Sequence, residues 1–248
     1  MPRLSVIIPT RRVDDALARR IDTSLRHLPD CEVLVVEPRP VPVDVPVSAA
    51  GNATAGSAEA PALPAAANVR RLTGARGRGT QCNAGARAAG GELLLFLHDD
   101  TELPANAAAL IADAFADPDT AVACFRLRFD HPHPLLGVYG WFSRFDSYLT
   151  SFGDQGILVR RGLFDHLGGF PDWPLFEDVE FLRRARRRTR IRKLPAAVVT
   201  SAVRYVDNGV VRQQVLNASL MLRFALGATP EALLARYDRR RLRGREQR

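Results

Sequence analysis

The 248-residue chain has only three cysteines, Cys31, Cys82 and Cys124, an odd number lying far apart. That excludes a disulfide framework and fits a reducing compartment. No run of about 18 apolar residues occurs, so no transmembrane helix is expected. The apolar part of the stretch from Met1 to Thr10 is too short for a signal peptide and leads straight into a strand-like segment. These readings together predict a cytoplasmic protein. Aromatic residues make up 7% and do not interleave with the arginine clusters. A single-strand-binding platform is therefore not expected, and no nucleic-acid partner. No internal repeat is visible.

What is present is ordinary for a globular domain: 46% apolar and 25% charged residues. The length allows one sizeable core, or one core with a small appendage. The net charge of +8 gathers in Arg183 to Lys193 and in Arg236 to Arg248. Such stretches attract anionic lipid or phosphorylated small molecules. A solvated helix face or a frayed tail accounts for them equally simply.

Leu4 to Ile8 reads as a buried strand closed by Pro9, and Cys31 to Val36 as a second. Between them Val13, Leu17, Ile21, Leu25 and Leu28 recur at helical spacing. Short apolar strands alternating with helices predict a mainly parallel sheet. Residues 38–67 hold six prolines among many alanines and read as an insertion or mobile loop. Further on, Val69 to Leu72, Glu92 to Leu97, Ile157 to Val159 and Ala197 to Thr200 are predicted strands. Helices are predicted over Thr80 to Ala89, stopped by Gly90-Gly91, and over Asn106 to Phe115, Glu177 to Arg188 and Val210 to Leu226. Phe125, Leu127 and Phe129 alternate with Arg126, Arg128 and Asp130, which predicts a strand with one wet face near a sheet edge. Residues 135–152 are rich in aromatics and suit either an acceptor platform or plain core packing.

Four constellations bear on chemistry. His98-Asp99-Asp100 closes the clearest strand, where open parallel sheets place their ligands. Adjacent carboxylates repel unless a cation or donors compensate, and hard oxygen ligands suit Mg²⁺ or Mn²⁺; a helix-capping surface turn is the plainer alternative. Gly74 to Gly79, with Arg76 and Arg78, precedes a helix and could cradle a phosphate, or be only a flexible loop. Its match to a dinucleotide fingerprint is poor, because Cys82 stands at the third glycine. Glu177-Asp178 opens a helix, where acids cap favourably or serve as a general base. Gly153-Asp154-Gln155-Gly156 is a turn before a strand. His131 and His133 lack a third ligand at metal-binding spacing.

In this order the motifs resemble family 2 glycosyltransferases of the GT-A fold, and most closely the bacterial arsenosugar-biosynthesis or selenodomain-associated subgroup. The matching stretches include Ser5 to Thr10, Glu32 to Val36, Gln81 to Ala86, Gly91 to Thr101, Phe125 to Asp130, Gly153 to Gln155, Leu167 to Pro171, Glu177 to Val179 and Val199 to Ala202. The resemblance implies a Rossmann-like α/β fold: a mixed, mainly parallel sheet flanked by helices, with a C-terminal helical extension. The implied division is a transferase domain over 1–205 and a helix with basic tail over 206–248.

It further implies that Asp100 binds Mn²⁺ or Mg²⁺ and that Asp178, beside Glu177, is the base of an inverting transfer. The donor would be a nucleoside diphosphate sugar, a UDP-sugar foremost, contacted by Pro9, Thr10, Glu37, Arg78, Asn83, Asp99, Asp154, Gln155 and Arg204. The acceptor would be a small molecule or a lipid. Apart from the resemblance, the helix Val210 to Leu226 with its basic tail suits peripheral contact with an anionic membrane at the inner face, or plain packing against the domain. Where the family usually has an Asn-Glu pair this chain has Arg11-Arg12. Glu37-Pro38 and Thr80 depart likewise. All three changes fall where the nucleotide base would bind. A nucleotidyltransferase and a catalytically silent binding protein stay open as alternatives.

Overall fold

The structure is a computed structural model that describes residues 3–39, 63–64 and 68–245. The expected insertion therefore lies mostly outside the described residues, as does the very end of the basic tail. In chain order the elements are β1 (Leu4–Pro9), α1 (Asp15–His27), β2 (Cys31–Pro38), β3 (Val69–Gly74), α2 (Arg78–Ala88), β4 (Leu93–Phe96), β5 (Thr101–Glu102) and α3 (Ala107–Ala116). Then come β6 (Val122–Phe129), α4 (Pro134–Phe142), β7 (Ile157–Arg160), α5 (Arg161–His166), α6 (Glu177–Arg186), β8 (Ile191–Thr200), α7 (Val203–Asn208), α8 (Val210–Ala225) and α9 (Pro230–Arg245).

Eight strands form one sheet in the order β3-β2-β1-β4-β7-β6-β8-β5. The first four are mutually parallel. β7 runs antiparallel to both β4 and β6, β6 and β8 are parallel, and β5 closes the far edge antiparallel to β8. The expected mixed, mainly parallel α/β architecture with a C-terminal helical extension is what forms.

Alternation along the strands sends side chains to two cores, one on each sheet face. Val6, Ile8, Val33 and Leu95 pack with Leu17 and Ile21 of α1 and Ile111 of α3. Ile7, Leu34 and Leu94 pack with Cys82 and Ala86 of α2 and Phe181 of α6. Strands buried on both faces read as unbroken apolar runs, which made β1, β2 and β4 legible. α1 begins where Asp14 accepts a hydrogen bond from the Leu17 amide at 2.8 Å. α2 lies close on β1 because Gly85 has no Cβ; one would stand 2.4 Å from Ile7 Cγ2.

Several expectations need correction. Gly90-Gly91 does not stop α2 through a left-handed glycine: neither has positive φ, and the chain leaves the helix in extended conformation at Ala89. Gly91 is instead required for space, since a Cβ there would meet Ser5 Oγ at 2.4 Å. The strand around Phe125 is not at an edge; β6 pairs on both sides, with β7 and β8. Its alternating arginines reflect thin cover on one face. β8 begins six residues before the expected Ala197. The ladder to β6 is irregular between Cys124 and Arg126, opposite Pro195, which has no amide to donate. Most of the basic tail is helix α9, which packs Leu233 against Leu216 and Leu220 of α8. The Arg183 to Lys193 cluster is largely satisfied internally. Arg186 pairs with Asp146 at 2.7 Å, Arg183 with Glu180 at 2.6 Å, and Arg184 donates to the Leu167 and Gly169 carbonyls.

Candidate active site

β1 and β4 are neighbours, so their carboxyl ends deliver Pro9-Thr10 and His98-Asp99-Asp100 side by side. The Thr10 hydroxyl donates to Asp99 Oδ2 at 2.7 Å, and Arg20 donates to the Asp99 carbonyl at 3.1 Å. Burial and the adjacent Asp100 charge raise the Asp99 carboxyl above its ordinary range, against the Thr10 hydrogen bond. Asp100 Oδ1 lies 3.3 Å from the Thr101 hydroxyl and 3.4 Å from that of Thr200, and the Ser201 amide donates to its carbonyl at 3.2 Å. The acid doublet thus joins the ends of β4 and β8. It is not a free surface turn.

The glycine-arginine loop fixes the second wall. Gly77, at φ 137°, precedes α2, and the Thr80 hydroxyl donates back to its carbonyl at 2.8 Å. A Cβ on Gly79 would strike the Pro171 carbonyl at 2.7 Å, so only glycine lets α2 start against the 171–177 segment. Arg78 then reaches Glu177, with Nη1 3.8 Å from Oε1. Burial opposes the Arg78 charge, but Glu177, Asp178 and Asp100 outweigh it and raise its pKa. His98 is driven the other way: burial first, then the Arg78 and Arg204 charges, hold its pKa well below the usual value. It is a neutral imidazole at physiological pH.

α6 supplies the third wall. Its entry residue Phe176 has φ 63°, the one positive value for a non-glycine among the described residues, a costly geometry for an aromatic residue. Phe224 of α8 stacks on Phe176 at 4.8 Å between ring centroids. The C-terminal extension therefore braces the turn that aims Glu177 and Asp178. Asp178 Oδ2 accepts from the Gly153 amide at 2.5 Å. Glu177 is 4% exposed. Burial and the Asp178 charge push it up to about 7, with Arg78 opposing. Glu177 Oε1 has no hydrogen-bond partner.

Asp154 is a further acid in this region. Its Oδ1 is shut from solvent without a hydrogen bond. Burial, then the charges of Asp178 and Asp100, push it up to about 7, against Lys193 and Arg78. Tyr139 of α4 and Tyr205 of α7 both stand within reach of its charge. Buried carboxyl oxygens without a hydrogen-bond donor are costly, so the Asp154 oxygen, and the Glu177 oxygen that has only the Arg78 charge nearby, are where a ligand could supply donors.

Pro9, Arg78, His98, Glu177 and Asp178 line a single recess with Gly153. Asp99, Asp100, Asp154 and Arg204 act on it by charge. Others sit elsewhere. Asn83 exchanges two hydrogen bonds with Phe170, at 2.8 and 2.9 Å, and so clamps α2 to the 167–171 turn. Gln155 accepts from Lys193 and donates to the Thr150 carbonyl, fully buried. Glu37 accepts from the Val13 amide at 3.1 Å and from Arg71. Arg11 and Arg12 are exposed. His133 is an ordinary cap, its ring nitrogen accepting from the Leu135 amide. Sequence reasoning missed Gln81, whose amide donates to the Thr10 and Val36 carbonyls at 2.7 and 2.6 Å and locks the ends of β1 and β2. It also missed Lys193. The signal for Gln81 was its place in the Gln81-Cys82-Asn83 run; for Lys193 there was none, because only the fold brings it to Asp154 and Gln155.

Residues 52–160 match the family model described as glycosyl transferase family 2. No curated protein matches the chain. Among solved structures the chain is similar to the mannosyltransferase PcManGT from Pyrobaculum calidifontis in complex with GDP-Man and Mn²⁺. The two are 21% identical with a TM-score of 0.54, covering 81% of this chain and 56% of that one. It is also similar to TarS 1–349 of S. aureus, at 19% identity and TM-score 0.53, covering 81% and 60%. The form of that protein in complex with UDP-GlcNAc matches at 16% and 0.54, covering 80% and 58%. The chain thus spans less than two thirds of the length of each. These matches show the fold, which is the GT-A fold of these structural neighbours.

Proposed function

We propose that the chain transfers a glycosyl group, with inversion, from a nucleoside diphosphate sugar to an acceptor hydroxyl, using a divalent cation. One observation carries the reading. Arg78 lies within charge range of both Asp100, at the end of β4, and Glu177-Asp178, at the start of α6, and its guanidinium stands 3.8 Å from Glu177. One recess therefore offers a phosphate side and an acceptor side. Residues 1–205 are read as the transferase domain and 206–248 as its extension. The arsenosugar-biosynthesis or selenodomain-associated subgroup, suggested by the histidine that opens His98-Asp99-Asp100, belongs to this proposal.

The donor set fits a hard cation. Among the described residues no group of three or more His, Cys, Asp or Glu is arranged to hold a metal. Asp100 with Asp99 offers two carboxylates, which suits an ion that completes its shell with substrate phosphates and water. When bound there, Mn²⁺ or Mg²⁺ would neutralise charge on the departing diphosphate.

The protein's own residues supply the rest. Arg78, and Arg204 from α7, bring positive charge to the diphosphate side. Neutral His98 adds none. The Gly153 amide holds one oxygen of Asp178 in place. Asp178 takes the proton of the acceptor hydroxyl as that oxygen bonds to the anomeric carbon. The bond from that carbon to the diphosphate oxygen breaks, and the nucleoside diphosphate leaves with its electron pair. Glu177, pushed up to about 7 by burial and the Asp178 charge, takes up a proton more readily than an ordinary glutamate, which eases the repulsion between the two acids.

The base end of the donor site departs from the resemblance, since both Glu37 oxygens are already engaged. The donor nucleotide is therefore the first variable to screen. Incubation with UDP-sugars and GDP-sugars plus Mn²⁺, with chromatography of the products, tests the reading. Release of nucleoside diphosphate supports it. Pyrophosphate released from a nucleoside triphosphate would favour nucleotidyl transfer instead, and metal-dependent binding without turnover would favour a silent binding protein.

A further inference from the structure

Every exposed large hydrophobic residue among those described falls in one of two segments, 135–149 or 203–226. Single exposed apolar residues need no explanation, but a cluster marks a docking surface. The segments are neighbours, since Tyr148 stacks over Phe224 at 6.5 Å between ring centroids.

α8 has two apolar faces. Leu216 and Leu220 are buried in the small core shared with α9. Val211, Val215, Leu222 and Leu226 are 59–78% exposed. Their spacings of four, seven and four residues confine them to an arc of about 60° at 100° per residue, roughly opposite the buried pair. In the first segment Trp141, Phe142 and Phe145 are about half exposed, with the Arg144 guanidinium 4.8 Å over the Trp141 ring.

The charge around these side chains is positive. Arg212 and Arg223 lie exposed in the second segment, against the one acid Asp207, and Arg144 lies exposed in the first. Asp146, the acid of the first segment, is neutralised by Arg186. An apolar stripe with arginine edges and aromatic wedges is complementary to an anionic lipid surface, which offers both a hydrocarbon boundary and negative headgroups. A second copy of this chain would oppose these arginines with its own.

We infer that 135–149 together with α7 and α8 forms a docking surface for an anionic membrane. Tyr139 and Tyr205 project from the same segments toward Asp154, so docking would hold the acceptor side of the recess near the headgroups. The inference stands apart from the reaction proposed above, because it concerns outward-facing residues that touch none of the acids.

The test is sedimentation of the full chain with vesicles of phosphatidylcholine containing about one third phosphatidylglycerol. The chain is expected to sediment with these and far less with phosphatidylcholine alone. Val215→Glu combined with Leu222→Glu is expected to weaken binding roughly tenfold or more, with an unchanged circular dichroism spectrum because both sites are exposed. Trp141→Ser with Phe145→Ser is the independent second variant and is expected to act the same way. The inference is overturned if wild-type protein stays in the supernatant with anionic vesicles, or if both double variants bind as wild type does. It is overturned equally if the chain ignores vesicles but forms a dimer that the Glu variants dissolve.

Discussion

The two ends of the sheet handle polar groups in opposite ways. At the parallel end, around β1, β2 and β4, strand-end groups satisfy one another: Thr10 with Asp99, Gln81 with the Thr10 and Val36 carbonyls, Glu32 with Ser5 and the Gly90 amide. At the mixed end, beyond β7 and α6, buried carboxyl oxygens of Asp154 and Glu177 have no hydrogen-bond partner, and apolar side chains face outward. Apart from the acid doublet at its rim, the first region is satisfied by its own groups. The second leaves buried acceptors without hydrogen-bond donors. A scaffold that rigidly presents the diphosphate side can leave the acceptor side to vary.

Substitutions sharpen that contrast, and the largest effect is expected at the acceptor side. Asp178→Asn should lower kcat on the order of 10³-fold, the scale of a lost general base, while leaving donor affinity near wild type. Steady-state turnover with calorimetric donor titration checks both halves, and full transfer activity in this variant would remove the assigned base. Asp100→Ala should weaken Mn²⁺-dependent donor binding roughly 100-fold with little change in thermal stability. If binding survived, the phosphate side would lie elsewhere.

At the parallel end the expected cost is to folding. Gly85→Ala sets a methyl 2.4 Å from Ile7 Cγ2 and 3.1 Å from Val36 Cγ2. Overpacking of this kind costs about 1–3 kcal/mol, measurable by urea unfolding; a neutral result would mean that α2 can lift from the sheet. The smallest effect is a slope. Asp154, pushed up from 3.8 to about 7, binds its proton more tightly folded than unfolded. Its contribution to stability is full below about pH 4 and is lost as pH rises to about 7. Asp154→Asn should flatten that part of the profile, and an unchanged slope would mean the carboxyl is not held in an unfavourable place.

The same contrast explains what could be read from the chain itself. β1, β2, β4 and α1 were legible because burial on both faces writes continuous apolar runs and helical stripes. The acid doublet at 99–100 and Glu177-Asp178 were legible as local motifs beside a strand end and a helix start. β6 was misjudged as an edge, since alternation reports cover on one face and says nothing about pairing. β8 was truncated because Pro195 hides a strand that tolerates an irregular ladder. The environment of Asp154 was invisible: Tyr139, Tyr205 and Lys193 meet it from three elements with no spacing in common. Asn83 and Gln155 sat in telling motifs, and the structure shows that their amides also hold turns together, Asn83 through Phe170 and Gln155 through Thr150 and Lys193.

The most direct measurement is calorimetric titration of UDP-GlcNAc and GDP-mannose, with and without MnCl₂, into wild type, Asp100→Ala and Asp178→Asn. The account expects heat for at least one donor that requires Mn²⁺, is kept by Asp178→Asn and is lost in Asp100→Ala. Binding that ignores the metal, or that survives loss of the Asp100 carboxylate unchanged, would contradict it.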